Sequence, residues 1–575
     1  MATNTKIAIL PTYTINNIVK PLTESLASKG INATVKLGGF QECNTDLLGK
    51  ESWLAEFKPD FIVIPLSVRT MLPDLFVGIT EKSYSLDIAL KQLRTLFSSI
   101  ENSSHNTNII LTTIEQPLGS PLSYRDVCAD VGVAKIIRAA NDEILAFAKK
   151  HPIVSIFDFN TFVAQFGASR LTDEKMWYLG SMLLTPPATN ALAAQLAAMI
   201  GARYGASKKC IVVDLDNTLW GGVIGEDGVA SLQLGHGTKI GDIFSAIQQT
   251  LLAYMRQGVL LAIVSKNNES DVLPVFESEH MILKKNDFAA MRINWNPKSE
   301  NIKSIAKELN IGLDSLVFLD DNPAERLEVS SALPQVTVID FPNDVAQLPS
   351  QLRQLDCFAR DVTTKEDLER AKMYIDDKKR KELETSTTSL HDYLSALKIR
   401  IDVKKNDLAS LARVTQLINK TNQFNLRTRR YTESEVKTLM QSPDSFVCSV
   451  CVQDSFGDLG LTGVAICTRD KSAASGNSPA NSSVWFIDSF LLSCRILARD
   501  IELQLFQEVL AYLPSGAKQL RAEYIPTPKN EQVESFYEKL SFPCTEKSAE
   551  HKLYIAQVSA LQKAAVPWIE VHRDN

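Results

Sequence analysis

The chain has 575 residues, which at roughly 150 residues per domain implies about three or four domains. A hydrophobic fraction of 45% and a charged fraction of 22% exclude a disordered, collagenous or low-complexity chain. A net charge of −6 argues against a general nucleic-acid binder, and nine cysteines, a low and odd count, point to free thiols rather than a disulfide framework.

In chain order, Lys6–Leu10 reads as a short apolar strand, stopped by Pro11 before it could form a signal-peptide core. Ile15–Lys29 has helical periodicity and ends at Gly30. Ala33–Leu37, Phe61–Leu66, Thr107–Thr113 and Ile153–Asp158 read as strands separated by helices, the pattern of a parallel, doubly wound sheet. The longest uncharged stretch, Met176–Ala202, is broken by Gly180, Pro186 and Pro187 and is Ala-rich, so it reads as a loop and a buried helix, not a membrane span. A second α/β unit follows: strand Cys210–Leu215, helix Asp242–Gln257, strand Val259–Val264, helix Ile302–Leu309, then strands Ser315–Leu319 and Val336–Ile339. Leu355–Glu384 is charged and helical, a connector. Beyond Leu390 come helices Leu408–Asn419 and Glu433–Leu439 and strands Ser445–Val452, Gly460–Cys467 and Val484–Leu492, with a polar loop at Lys471–Ser483. Helix Arg499–Tyr512 and strand Gln519–Tyr524 complete that unit. The expected domains are 1–205, 206–355, a connector 356–395, and 396–575. The expected setting is the cytoplasm, with no nucleic-acid or membrane partner.

The segment CIVVDLDNTLWGG carries the chemistry. Its strand delivers Asp214, Asp216 and Thr218 to the carboxyl end, where open α/β sheets bind ligands. One carboxylate there can attack phosphorus or hold a metal while the other moves a proton. Three further elements follow in order. Ser265, 51 residues after Asp214, ends a strand and can hold a phosphate oxygen; Lys298, 33 residues later, opens a helix and can balance phosphate charge. Asp320 and Asp321 end another strand and are hard oxygen ligands suited to Mg²⁺. Singly, Ser265 or Lys298 is an ordinary surface residue; four elements in order are not coincidence. The two intervals leave no room for a large cap, so the site is expected to be open to bulky or arm-tethered substrates.

This pattern resembles the haloacid dehalogenase (HAD) superfamily of phosphotransferases. The resemblance implies Asp214 as nucleophile, Asp216 as acid/base, and Thr218, Ser265 and Lys298 as phosphate-side residues. It also implies Mg²⁺ held by Asp214, the backbone of Asp216 and Asp320, with Asp321 nearby. The wording DLDNTLWGGVIGEDG, FLDDNPAER and TNQFNLRTRRYTESEV resembles, more narrowly, the FkbH-like family. That implies an SGNH-hydrolase-like N-terminal domain, a capless HAD core and a GNAT acyltransferase-like C-terminal domain. It also implies a reaction: 1,3-bisphosphoglycerate is dephosphorylated and its glyceryl unit loaded, through an enzyme cysteine thioester, onto the phosphopantetheine arm of an acyl carrier protein for polyketide biosynthesis.

Val484–Leu492 followed by SCRILARD resembles the acyl-pantetheine site of a GNAT domain, with Arg495 in place but Ala498 and Asp500 at glycine-type positions. Cys494, beside Arg495 and a helix start that would lower its pKa, is the candidate acyl carrier; a small buried hydrophobe is the plainer reading. Cys357 is a weaker candidate. Cys448 and Cys451 face opposite ways in a strand, which argues against zinc. Tyr537 could donate a proton to a thiolate, though a core aromatic is the favoured reading. Arg427, Arg429 and Arg430 read either as a helix end and solvated loop or as a contact to phosphate or a neighbouring domain. The N-terminal unit has no Ser after its first strand, and Asp173 has no nearby His, so its role is expected to be structural or carrier-docking. Two other functions compete: a plain capless phosphatase, and a docking scaffold without catalysis.

Overall fold

The computed structural model describes residues 3–49, 52–81, 83–103, 107–360, 380, 383, 387, 389–470, 483–548, 550–561 and 566–573, with Thr3 and Cys494 described in backbone only. Most of the expected connector and nearly all of the loop Lys471–Ser483 lie outside the described residues. The chain divides into two compact units, residues 1–201 and 202–575.

The first unit is built on β1 (Thr3–Ile9), β2 (Ile31–Leu37), β3 (Phe61–Ile64), β4 (Asn108–Thr112) and β5 (Val154–Phe157), all parallel, in the order β2-β1-β3-β4-β5. Inner strands are covered on both faces and read as apolar runs: all four residues of β3 are buried, whereas edge strand β2 alternates. The Ala-rich helix forms at Pro186–Arg203, with two prolines in its first turn, where their missing N–H groups cost nothing. Asp173 caps the short helix Glu174–Gly180 by accepting from the backbone of Lys175 (2.9 Å), a structural role.

The second unit holds two sheets. Strands β6 (Cys210–Val213), β7 (Leu260–Ser265), β8 (Phe288–Ile293), β9 (Leu316–Leu319) and β10 (Thr337–Val338) are parallel in the order β10-β9-β6-β7-β8. Every residue of β6 is fully buried, with apolar clusters on both faces of the sheet. The other sheet comprises β11 (Ile399–Lys405), β12 (Phe424–Asn425), β13 (Ser445–Asp454), β14 (Gly457–Arg469), β15 (Val484–Leu492), β16 (Gln519–Tyr524), β17 (Cys544–Lys547), β18 (Lys552–Gln557) and β19 (Ile569–Arg573). Its order is β17-β18-β16-β15-β14-β13-β11-β19, with β12 on β15. Parallel strands β15 and β16 pair only over Val484–Ile487 and Gln519–Ala522. Beyond Ile487 the segment Phe424–Leu426 fills the gap between them. Phe424 and Asn425 pair with Leu492 and Leu491, the Leu426 N–H donates to Phe490 O (3.2 Å), and the Ile525 N–H donates to Leu426 O (2.8 Å). Lys529 and Asp314, 2.5 Å apart, link the two sheets' domains. Among the described residues no helix is long and apolar enough to cross a membrane.

Candidate active site

The chain runs from β6 outward to β7 and β8, then crosses back to β9 on the other side of β6. Ligands of such sheets bind at the carboxyl ends of the strands flanking that reversal. Asp214 and Asp216 follow β6, and Asp320 and Asp321 follow β9. Ser265 ends β7, and Lys298 opens the helix Lys298–Glu308 behind Pro297. All four sequence elements therefore converge.

The Lys298 ammonium lies 3.0 Å from Asp214 Oδ1 and 2.5 Å from Asp320 Oδ2, and is 3% exposed. Asp214, Asp320 and Asp321 offer carboxylate oxygens within 4.8 Å of one another. Burial pushes the Asp214 carboxyl up to about 6, opposed by Lys298 and reinforced by Asp320. Burial likewise raises Asp320 and Asp321. Burial alone would lower the Lys298 ammonium, but Asp214 and Asp320 together carry it above its ordinary value. Asp214 Oδ1 is buried and has no aligned hydrogen-bond donor despite the nearby ammonium. Three carboxylates crowded around one ammonium leave excess negative charge that fits a small divalent cation.

The Asp216 carboxylate is not one of the three whose oxygens cluster within 4.8 Å. Its Oδ1 accepts from Trp220 Nε1 (2.9 Å) and the Ile224 N–H (3.1 Å), and its Oδ2 from Asn267 Nδ2 (3.0 Å), which also reaches Ser265 Oγ (3.1 Å). The turn between Asp216 and Thr218 needs Asn217 at φ 52°, a conformation Asn tolerates. Thr218 accepts from the Asp321 N–H (3.2 Å), tying the first aspartate turn to the last. Arg326 Nη1 donates to the carbonyls of Asp320 (2.8 Å) and Asp321 (2.6 Å) and fixes that turn. Trp220, Asn267 and Arg326 are functional neighbours that sequence reasoning passed over, although each lies inside one of the motifs above or next to Ser265. At the rim, Trp295 is 68% exposed and held by a hydrogen bond from Nε1 to Asn268 Oδ1 (3.2 Å). The adjoining Asn294 N–H is bonded to Ser265 O (3.1 Å).

In the third sheet's domain the picture is different. Cys494 begins a short turn after β15, but its side chain lies outside the described residues. Arg495 Nε donates to Ser493 Oγ (3.2 Å). Ala498 (φ 61°) and Asp500 (φ 59°) both take the left-handed conformation, so the glycine-type backbone survives without glycine. Tyr537 is buried among Phe536, Phe542 and Tyr554, a core aromatic. Cys448 and Cys451 belong to different apolar clusters, and Cys357 is half-buried. The arginines serve neither of the expected roles alone. Arg427 is bonded to Asp488 and, at 2.8 Å, to Glu523; Arg429 reaches Asp488 at 3.1 Å; and Arg430 serves the carbonyls ending the helix Leu411–Lys420. Together they pin the segment that fills the β15–β16 gap.

No protein-family model and no curated protein matches the chain. Among solved structures, the N-terminal part of the protein BF1531 from Bacteroides fragilis, containing a phosphatase domain complexed with Mg, is 26% identical. The match covers 63% of this chain and 95% of that one, with a TM-score of 0.58. A GNAT-family protein from Desulfovibrio desulfuricans is 14% identical over 28% of this chain and 99% of its own, at a TM-score of 0.21. Arabidopsis thaliana NAA60 in complex with acetyl-CoA is 15% identical over 28% and 99%, at 0.23. The chain thus shares its fold with the phosphatase-containing structure over 63% of its length.

Proposed function

We propose that the protein is an Mg²⁺-dependent phosphohydrolase that removes phosphate from 1,3-bisphosphoglycerate and passes the glyceryl unit to the phosphopantetheine thiol of an acyl carrier protein. The observation that carries the phosphoryl half is the Asp214–Lys298–Asp320–Asp321 cluster at the reversal of the sheet. Asp214, Asp320 and Asp321 would hold the ion. When bound, Mg²⁺ shields these carboxylates from an incoming phosphate and polarises its oxygens. Asp214 attacks phosphorus, the leaving oxygen takes a proton from Asp216, and a phospho-aspartate remains. Water then attacks that phosphorus, gives its proton to Asp216, and releases inorganic phosphate and free Asp214. Trp220 and Ile224 fix Asp216 Oδ1, so Oδ2, whose partner is the side-chain amide of Asn267, is the oxygen placed to carry the proton. Lys298 balances charge throughout.

The glyceryl half rests on the motif resemblance and on the chemistry of the donor. Its C1 phosphate is an acyl phosphate, which a thiolate displaces directly to give a thioester and phosphate. Its C3 phosphate is an ester and needs the hydrolytic site. Cys494 is the proposed first thiol. The exposed Trp295 at the rim supports access by a large or tethered substrate. One observation favours the plain phosphatase instead: Phe424–Leu426 occupies the gap beside β15. Intact-protein mass after mixing with Mg²⁺ and freshly generated 1,3-bisphosphoglycerate separates the two. A glyceryl-sized gain on Cys494 supports transfer; phosphate release without any covalent gain leaves the phosphatase. An Asp214→Asn variant that still releases the C3 phosphate removes both.

A further inference from the structure

The first unit carries a second concave site, which phosphoryl chemistry does not use. Its strand order places the reversal of chain direction between β1 and β3, the position where open parallel sheets bind ligands. There Thr12, Ser67, Thr70 and Glu115 form a buried polar cluster, of which Glu115 faces the concavity. Ser67 Oγ donates to Glu115 Oε1 (2.6 Å), the Val68 N–H to Oε2 (3.1 Å), and Thr70 Oγ1 to Thr12 Oγ1 (3.2 Å). Glu115 lines a cavity of about 420 Å³, a volume ordinary for small-molecule sites. Its walls are mainly apolar and aromatic, and Phe76, Leu118 and Tyr178 stand 43%, 73% and 81% exposed around it.

The charges of this cavity do not cancel. Arg69 is paired with Glu174 and lies 4.9 Å over the Trp177 ring. Glu115 has no ion pair among the described residues. A carboxylate accepts about four hydrogen bonds, so the donors from Ser67, Val68 and its own backbone N–H leave it capacity for a ligand. Burial pushes its carboxyl up to about 7, opposed by the Ser67, Glu115 and Val68 hydrogen bonds and by the charge of Arg69, which is itself paired with Glu174.

We propose that this cavity binds a monocationic amphiphile, with a primary ammonium on Glu115 and an aromatic or branched apolar body against Phe76, Trp177 and Tyr178. Two carboxylates against one guanidinium select a cation. The ammonium supplies the second positive charge as a charge-assisted hydrogen bond, and the aromatic walls add cation–π and apolar contact. An anion with the same body meets Glu115 head on, and a neutral isostere forgoes the charged bond.

The test is isothermal titration calorimetry of the full chain with phenethylamine, phenethyl alcohol and phenylacetate. The amine binds tighter than the alcohol by about tenfold or more, and phenylacetate binds weakest. Glu115→Gln keeps the shape and brings the amine down to the affinity of the alcohol. Tyr178→Ala, at an exposed position that folding does not depend on, weakens amine and alcohol together by about threefold or more. Three results overturn the proposal: no amine binding or amine and alcohol alike in the wild type, an amine affinity untouched by both variants, or a preference for phenylacetate.

Discussion

Replacing Lys298 by Met isolates the charge balance of the phosphoryl site. The ammonium sits 3.0 Å from Asp214 and 2.5 Å from Asp320, almost wholly out of water. At an effective dielectric constant of about 20, those separations give gross attractions of roughly 6 and 7 kcal/mol, most of which desolvation offsets. Deleting one partner of a buried pair costs about 3–5 kcal/mol, because the opposite charges stay buried. Methionine retains most of the side-chain volume, so the cavity contribution is small. Urea unfolding of Lys298→Met in EDTA at neutral pH should therefore show a loss of about 3–5 kcal/mol in the transition of the 202–575 unit. Saturating Mg²⁺ should recover much of that loss, since the cation takes over as counter-charge to Asp214, Asp320 and Asp321. A loss below about 1 kcal/mol in EDTA, or a loss that Mg²⁺ leaves unchanged, refutes the reasoning.

Asp214→Asn should cut release of the C3 phosphate by about a thousandfold or more, yet raise the unfolding temperature in EDTA, because it removes one of three crowded carboxylates; lowered stability would contradict the cluster's charge balance. EDTA should stop release of the C3 phosphate by the wild type, and Mg²⁺ should restore it. Trp295→Ala should raise KM about fivefold or more with kcat within about twofold, as steady-state kinetics would show; unchanged KM removes the indole from substrate contact. Glu115 has a folded pKa of about 7, above its ordinary value. Its stabilising contribution is therefore full at low pH and is lost as pH rises through about 7, a decline on the order of 3 kcal/mol. Glu115→Gln should flatten the pH dependence of unfolding in the first unit; parallel curves for variant and wild type would argue against a raised carboxyl.

The phosphoryl site was legible because each of its residues ends a buried apolar strand or opens a helix. Cys210–Val213 and Leu316–Leu319 are uninterrupted apolar runs, and in a parallel sheet the residues just past the carboxyl end of such a run face the ligand. Strand β8 was not legible for the opposite reason: Phe288–Ile293 is an edge strand with two alanines and a half-exposed end, so neither run nor alternation is clear. In the last domain β17 is exposed throughout and β12 is two residues long. The alternation of Ile399, Ile401 and Val403 in β11 is a fair strand signal, overshadowed by helical periodicity on both sides. The segment TNQFNLRTRR defeated local reasoning altogether. Its many amides and arginines look solvated, yet Asn425 is 1% exposed, with its Nδ2 on Thr421 O and its own carbonyl accepting from the buried Asn530 side chain 105 residues away, an arrangement that long-range pairing alone creates.

That segment also sets a thermodynamic condition on the whole C-terminal sheet. Where β15 and β16 part, Leu426 is the stitch between them, and Arg427 anchors the stitch to Asp488 on one strand and Glu523 on the other. Any molecule that uses the inner edge of β15 must first unpick it, so an occupied cleft and an ordered Phe424–Leu426 are mutually exclusive states. The measured affinity of such a molecule is its intrinsic affinity scaled by the fraction of chains already unstitched. Slow amide exchange at Leu426 and Ile525 reports that fraction directly.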